Sequence, residues 1–193
     1  MTRLGPTLSK VLRALPGDRF IALVGGIAAS VRTEPCFTRR LDFALAVQHD
    51  EEAEHALLEL ERHGFSVVAK VEHTTARRFA TAQLRESADT PIVELLFASC
   101  GIEPEIVADS SPLQVLGVNV SVATVGHLVA MKLVSDDPER RPRDHQELVA
   151  LASVADEREW QRAHEAIGLI QQRGFSRGRD LPAGLAEIRG LVG

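Results

Sequence analysis

The chain has 193 residues, 45% of them hydrophobic and 25% charged, the balance of a soluble globular domain with a real core. A net charge of −5 excludes a surface that is basic throughout and binds nucleic acid by charge alone. Two cysteines, Cys36 and Cys100, are too few for a disulfide scaffold or a cysteine zinc site, and both read as buried free thiols.

No apolar run approaches the roughly 18–20 residues of a membrane helix, which argues against a membrane partner. The opening "MTRLGPTLSKVLRALPG" lacks the pattern of a signal peptide, so a cytoplasmic location is expected. In "TLSKVLRAL", residues 7–15, Leu8, Val11, Leu12 and Leu15 share one helical face, and Pro16 and Gly17 stop that helix. "FIALV" (20–24) reads as a short strand. It runs into Gly25 and Gly26, and "IAASV" after them reads as a short helix.

"LDFALAV" (41–47) alternates as a strand, with Asp42, Ala44 and Ala46 on one face. Asp50 is placed to cap a helix whose buried stripe is Ala53, Ala56, Leu57 and Leu60, ending at Gly64. Strands are expected over 65–71, 78–84 and 92–97. Helices follow over 124–134 with Thr124 as N-cap, over 142–154, over 157–173 and over 183–191. The layout predicts an α/β unit over 1–118 and a helical part over 119–193. His127 and His145 show no metal spacing and read as structural or surface residues. "ERRPRD" (139–144) and "RGFSRGR" (173–179) are local basic patches; the first reads as a solvated loop, and both are where phosphate contacts would lie if the partner is a nucleic acid.

Three motifs stand in order: "LVGGIAASVRTEPCFTRRLDFALAV", "VELLFASCGIE" and "GHLVAMKLVSDDPERRPRDHQELVAL". Together they resemble the nucleotidyltransferase-fold, polymerase-beta-like family of AbiEii-type abortive-infection toxins, over roughly residues 20–154. The resemblance implies a nucleotidyltransferase-like mixed sheet flanked by helices, followed by a C-terminal helical part. It implies transfer of a nucleotidyl group from a nucleoside triphosphate, with Mg2+, to a tRNA or protein acceptor. It also implies a toxin–antitoxin setting with a protein partner.

By the same resemblance, Gly25 and Gly26 cradle phosphate, Asp42 and Glu94 are metal-binding catalytic carboxylates, Lys132 contacts the triphosphate, and Asp144 is the acid on the next helix. Two carboxylates at i and i+2 of a strand share a face roughly 6–7 Å apart, close enough to serve one pair of metals. This chain departs at Arg40, where the family pattern puts an aspartate. A guanidinium cannot ligate a cation and stays charged. Arg40 shares the face of Asp42, so an Arg40–Asp42 or Arg40–Glu94 ion pair is expected in place of metal. Two readings follow: an impaired enzyme, or a non-catalytic binding or regulatory module in which Arg40 supplies charge for nucleotide binding. Asp50 or Glu34 is a further candidate to replace the lost ligand.

Overall fold

In the computed structural model the described residues are 3–15, 20–33, 38–73, 78–137 and 139–192. Pro16, Gly17, Glu34 and Cys36 lie outside them. Helix α1 is Leu4–Ala14, strand β1 Ile21–Val24, α2 Gly25–Arg32, β2 Arg40–Leu45 and α3 Asp50–Arg62. Then come β3 Ser66–His73, β4 Arg78–Arg85, β5 Ile92–Leu96, α4 Glu103–Asp109, β6 Ser111–Val115 and β7 Val118–Val122. The chain closes with α5 Val125–Ser135, α6 Pro142–Val154, α7 Glu157–Gln172 and α8 Leu181–Val192.

The strands form one seven-stranded sheet in the order β3-β4-β5-β2-β1-β7-β6. It is mixed: β2 is parallel to β5 and β1 to β7, while the other neighbours are antiparallel. Central β2 is buried along nearly its whole length, because helices cover it on both sides. Helices α1 and α3 pack on each other and on the sheet, and α2 bridges β1 and β2 to α5 and α6. Phe43, Leu23, Leu41 and Leu45 are among the largest fully buried side chains of one continuous core.

Several expectations shift. Helix α1 begins at Leu4 and buries Leu4 and Thr7 besides Leu8 and Val11. Asp50 is not the cap of α3 but its first residue, after His49. Its carboxylate instead accepts from Arg78 Nε at 2.9 Å and from the Phe79 backbone N–H, tying α3 to β4. Thr124 does cap α5, accepting from the His127 N–H, and His127 is buried with Nδ1 3.1 Å from the Thr124 hydroxyl. His145 sits beside Asp136, 3.1 Å away. Residues 111–122 form the β6–β7 hairpin, so the sheet runs on to Val122 before the four closing helices.

That hairpin turns through Leu116 and Gly117, both with positive φ, 52° and 81°. Two consecutive left-handed residues fit a type I′ turn, which favours Asn-Gly. Leu116 is 51% exposed, so it gains little from burial there. Leu116→Asn is therefore expected to stabilise the protein by about 0.5–1 kcal/mol. Thermal unfolding, read as a rise in Tm, checks this.

Candidate functional site

The site grows from one row of residues across the sheet. Strand register sets Val24 beside Asp42, Asp42 beside Glu94, and Glu94 beside Gln83. Neighbours in register point to the same face, so topology brings two carboxylates together from strands about 50 residues apart in sequence. Gln83 donates from Nε2 to Glu94 Oε1 at 2.9 Å and holds that carboxylate still.

Gly25 follows β1 and opens α2 with φ +68°, a backbone favourable only to glycine. A Cβ there would lie 2.1 Å from Asp42 Oδ2, so the carboxylate presses against bare backbone. Gly26 is similarly close to a second acid: a Cβ on it would lie 3.3 Å from Glu147 Oε1.

Arg40, two residues before Asp42, takes both sheet carboxylates. Its Nε lies 2.5 Å from Asp42 Oδ1 and its Nη1 lies 3.3 Å from Glu94 Oε2. The Asp42 side chain is only 5% exposed, and Asp42 Oδ1 lacks a well-aligned hydrogen bond, so that contact is chiefly charge on charge. Both ion pairs expected for Arg40 are therefore present.

The two partners are pulled in opposite directions. Burial pushes the Asp42 carboxyl up from 3.8 to about 6, helped by Glu94, and Arg40 only partly opposes this. Burial also disfavours the Arg40 charge, but Asp42 and Glu94 outweigh it and hold its pKa above the ordinary value. Arg40 remains a cation, and burial favours the protonated form of Asp42.

This sets a sign for stability. The folded chain holds the Asp42 proton more tightly than the unfolded chain does. The contribution from this group is full below pH 3.8 and is lost as pH rises through about 6. Asp42→Asn, neutral throughout, is expected to gain on the wild type by up to about 3 kcal/mol between pH 4 and 7. Urea denaturation across that range measures the difference.

A second trio faces the first from the helices. Lys132 on α5 places Nζ 2.5 Å from Asp144 Oδ1 and 2.5 Å from Glu147 Oε2, both on α6. Asp144 and Glu147 are three residues apart and share one face of that helix. The structure thus brings Asp42, Glu94, Lys132, Asp144, Gly25 and Arg40 to one place, with Gly26 beside Glu147. Sequence reasoning missed Gln83 and Glu147. The i, i+3 spacing from Asp144 was the available signal for Glu147; for Gln83 only the strand pairing provides one.

All of these except Gly26 and Glu147 line a cleft of about 460 Å3 between the sheet and helices α5 and α6. Arg141, ahead of α6, and Arg177, after α7, also line it, and each comes from a basic stretch singled out in the sequence. Arg173 from the same stretch is engaged elsewhere, with Glu105 at 2.6 Å. Cys100 is buried at the cleft wall. Burial, with Glu103 adding, pushes its thiol well up, so it is no thiolate nucleophile. Asp50, paired with Arg78 at 2.9 Å, is not among the lining residues, and Glu34 lies outside the described residues.

The arrangement does not fit a divalent metal. Both sheet carboxylates are bound to one guanidinium, which repels a second cation. Among the described residues no group of three or more His, Cys, Asp or Glu could hold a metal ion. No helix is long and apolar enough to cross a membrane, again among the described residues.

No protein-family model and no curated protein matches the chain. Solved structures do. An antigenic nucleotidyltransferase-like protein from Paracoccidioides brasiliensis is 19% identical with a TM-score of 0.51, over 95% of this chain and 90% of that one. The antibiotic-resistance factor ANT(2'')-Ia in its solution structure is 12% identical with a TM-score of 0.59, over 97% of each chain. The same protein in complex with adenylyl-2''-tobramycin is 12% identical with a TM-score of 0.59, over 89% of this chain and 99% of that one. The likeness is one of fold: this chain has a nucleotidyltransferase-like mixed sheet flanked by helices.

Proposed function

We propose that the protein is a nucleotidyltransferase-fold binding module that takes a nucleotide into its cleft without a divalent metal and does not carry out metal-dependent transfer. The observation that carries this reading is Arg40 bridging Asp42 and Glu94. Two facing carboxylates repel a phosphate and normally need a cation between them. Here the chain provides that cation itself. The guanidinium is charged at every relevant pH, so it neither titrates away nor exchanges with solvent ions.

The remaining features suit a bound nucleotide. The backbone at Gly25 is left bare of side chain, and the helix that follows directs N–H groups toward the cleft end of β1. Leu128 and Met131 of α5 give the cleft an apolar side for a base or sugar, opposite the polar row on the sheet.

A second reading is favoured by one observation: Asp42 and Glu94 keep their register across β2 and β5. On that reading the chain is an active nucleotidyltransferase once Arg40 is displaced. Its acceptor is a tRNA or a protein, in the setting of an abortive-infection toxin with its antitoxin partner. The structural neighbour in complex with adenylyl-2''-tobramycin adds a small molecule of that kind to those candidates.

Calorimetric titration with ATP, GTP, CTP and UTP, with and without magnesium, separates the two. The binding module shows the same affinity in both buffers. An absolute requirement for magnesium supports the enzyme, and no binding of any nucleotide sinks the binding module.

A further inference from the structure

The charges lining the cleft are unequally engaged. Half-exposed Arg40 lies between Asp42 and Glu94, and Lys132 lies between Asp144 and Glu147, the last of which does not line the cleft. Each of these two cations is paired with two acids, and neither turns to an anion without leaving both behind. With both cations already paired, this part of the cleft offers a phosphate no net attraction.

The other two lining cations are different. Arg177 donates from Nη2 to the Ser99 carbonyl at 3.1 Å and meets no carboxylate among the described residues. Arg141 only approaches Asp144, at 3.9 Å, and its side chain is 62% exposed.

The loop that carries Arg177 is held firmly. Phe175 is buried against Gly101 and stacks obliquely on His73, with ring centroids 4.5 Å apart. Arg173 grips Glu105 through two nitrogens, at 3.0 and 2.6 Å. Arg177 itself has φ +54°, an uncommon conformation for a residue with a side chain. A fixed loop keeps an arginine in a disfavoured backbone state and aims it into the cleft. Strain of this kind clusters where side chains must be placed for a ligand.

We infer that the cleft takes a phosphomonoester, a nucleoside monophosphate being the fullest match, with its phosphate held by Arg177 and Arg141 at the mouth rather than by Lys132. The inference rests on the binding-module reading. Two guanidinium forks match the charge and the oxygen geometry of one dianionic phosphate. Further phosphates would have to lie against Asp42, Glu94 and Asp144, so added phosphates weaken binding.

The test is magnesium-free calorimetry with AMP, ADP, ATP, ribose 5-phosphate and inorganic phosphate on the full chain, on Arg177→Ala and on Arg141→Ala. AMP is expected to bind more tightly than ATP. Each alanine variant is expected to weaken AMP roughly 10- to 100-fold, the loss of a charge-assisted pair of hydrogen bonds. Arg177→Lys keeps the charge but loses the fork, so it is expected to recover only part of the affinity. Phosphate or ribose 5-phosphate binding as well as AMP identifies the phosphate alone as the recognised group. ATP binding more tightly than AMP, or both alanine variants binding AMP like the wild type, overturns this inference and leaves the binding-module reading intact. No binding by any of the five compounds overturns both.

Discussion

Replacing Arg40 by aspartate should make the stability of this protein depend on magnesium. In the wild type one guanidinium answers two acids, one of them nearly buried. Arg40→Asp removes that cation and adds a third carboxylate on the same strand face, roughly 6–7 Å from Asp42. Removing one partner of a buried ion pair costs about 3–5 kcal/mol, but Arg40 is 49% exposed, so the loss here is about 1–3 kcal/mol. For a chain of this size that lowers Tm by roughly 2–12 °C in buffer with a chelator. Three converging carboxylates then form the oxygen-rich site that magnesium prefers. At a magnesium concentration about a hundredfold above its dissociation constant, the recovery is about 2.7 kcal/mol.

The wild type is expected to show no Tm change with magnesium, because the guanidinium already holds the site. Arg40→Ala separates the two effects: it loses the cation without gaining a ligand, so its Tm falls with little response to the metal. Differential scanning fluorimetry with chelator and with a magnesium series measures all three proteins. A wild-type Tm that climbs with magnesium as steeply as that of Arg40→Asp would falsify the account of Arg40 as the site's resident cation. Nucleotidyl transfer that emerges only in Arg40→Asp marks the native chain as a former enzyme.

Much of this was legible in the sequence, for physical reasons. The alternation around Asp42 and the odd acid Glu94 inside an apolar run mark two buried strands with a polar face. Helices α5, α6 and α7 announce themselves by helical spacing and by Thr124 and Pro142 at their starts. Arg40 stood out because the resembled family's pattern puts an aspartate there; alternation gave its shared face with Asp42, and the pairing of β2 with β5 brings Glu94 within its reach.

What stayed hidden is what pairing and packing decide. The β6–β7 hairpin carries Pro112 in an edge strand and turns on Leu-Gly rather than Asn-Gly, so both of its usual signals are blurred. Helix α4 has only seven residues, too few to show a period, and starts at Glu103-Pro104. Gln83 joins the site only because β4 pairs with β5, and Arg177 only because Phe175 fixes a distant loop at the end of the sheet. No local pattern encodes those contacts.

The other large effect is expected at Lys132, whose side chain is 12% exposed between Asp144 and the 9%-exposed Glu147. Lys132→Met keeps the length and apolar stem but leaves two carboxylates facing each other with no cation between them. A loss of about 3–5 kcal/mol is expected at neutral pH. The unpaired acids hold protons more tightly when folded than when unfolded, so the variant recovers as pH falls and its deficit widens as pH rises from about 5 to 8. Adding Asp144→Asn and Glu147→Gln removes the repulsion and should restore most of the loss, because a neutral replacement of a whole buried cluster is often harmless. Urea denaturation of the single and triple variants at several pH values gives the comparison. A deficit below about 1 kcal/mol that does not move with pH would place this cluster with ordinary surface pairs. It would also release Lys132 to meet an anion in the cleft. A large, pH-dependent deficit means that the lysine is held by its own acids, and that the cleft must draw its attraction for phosphate from the arginines at its mouth.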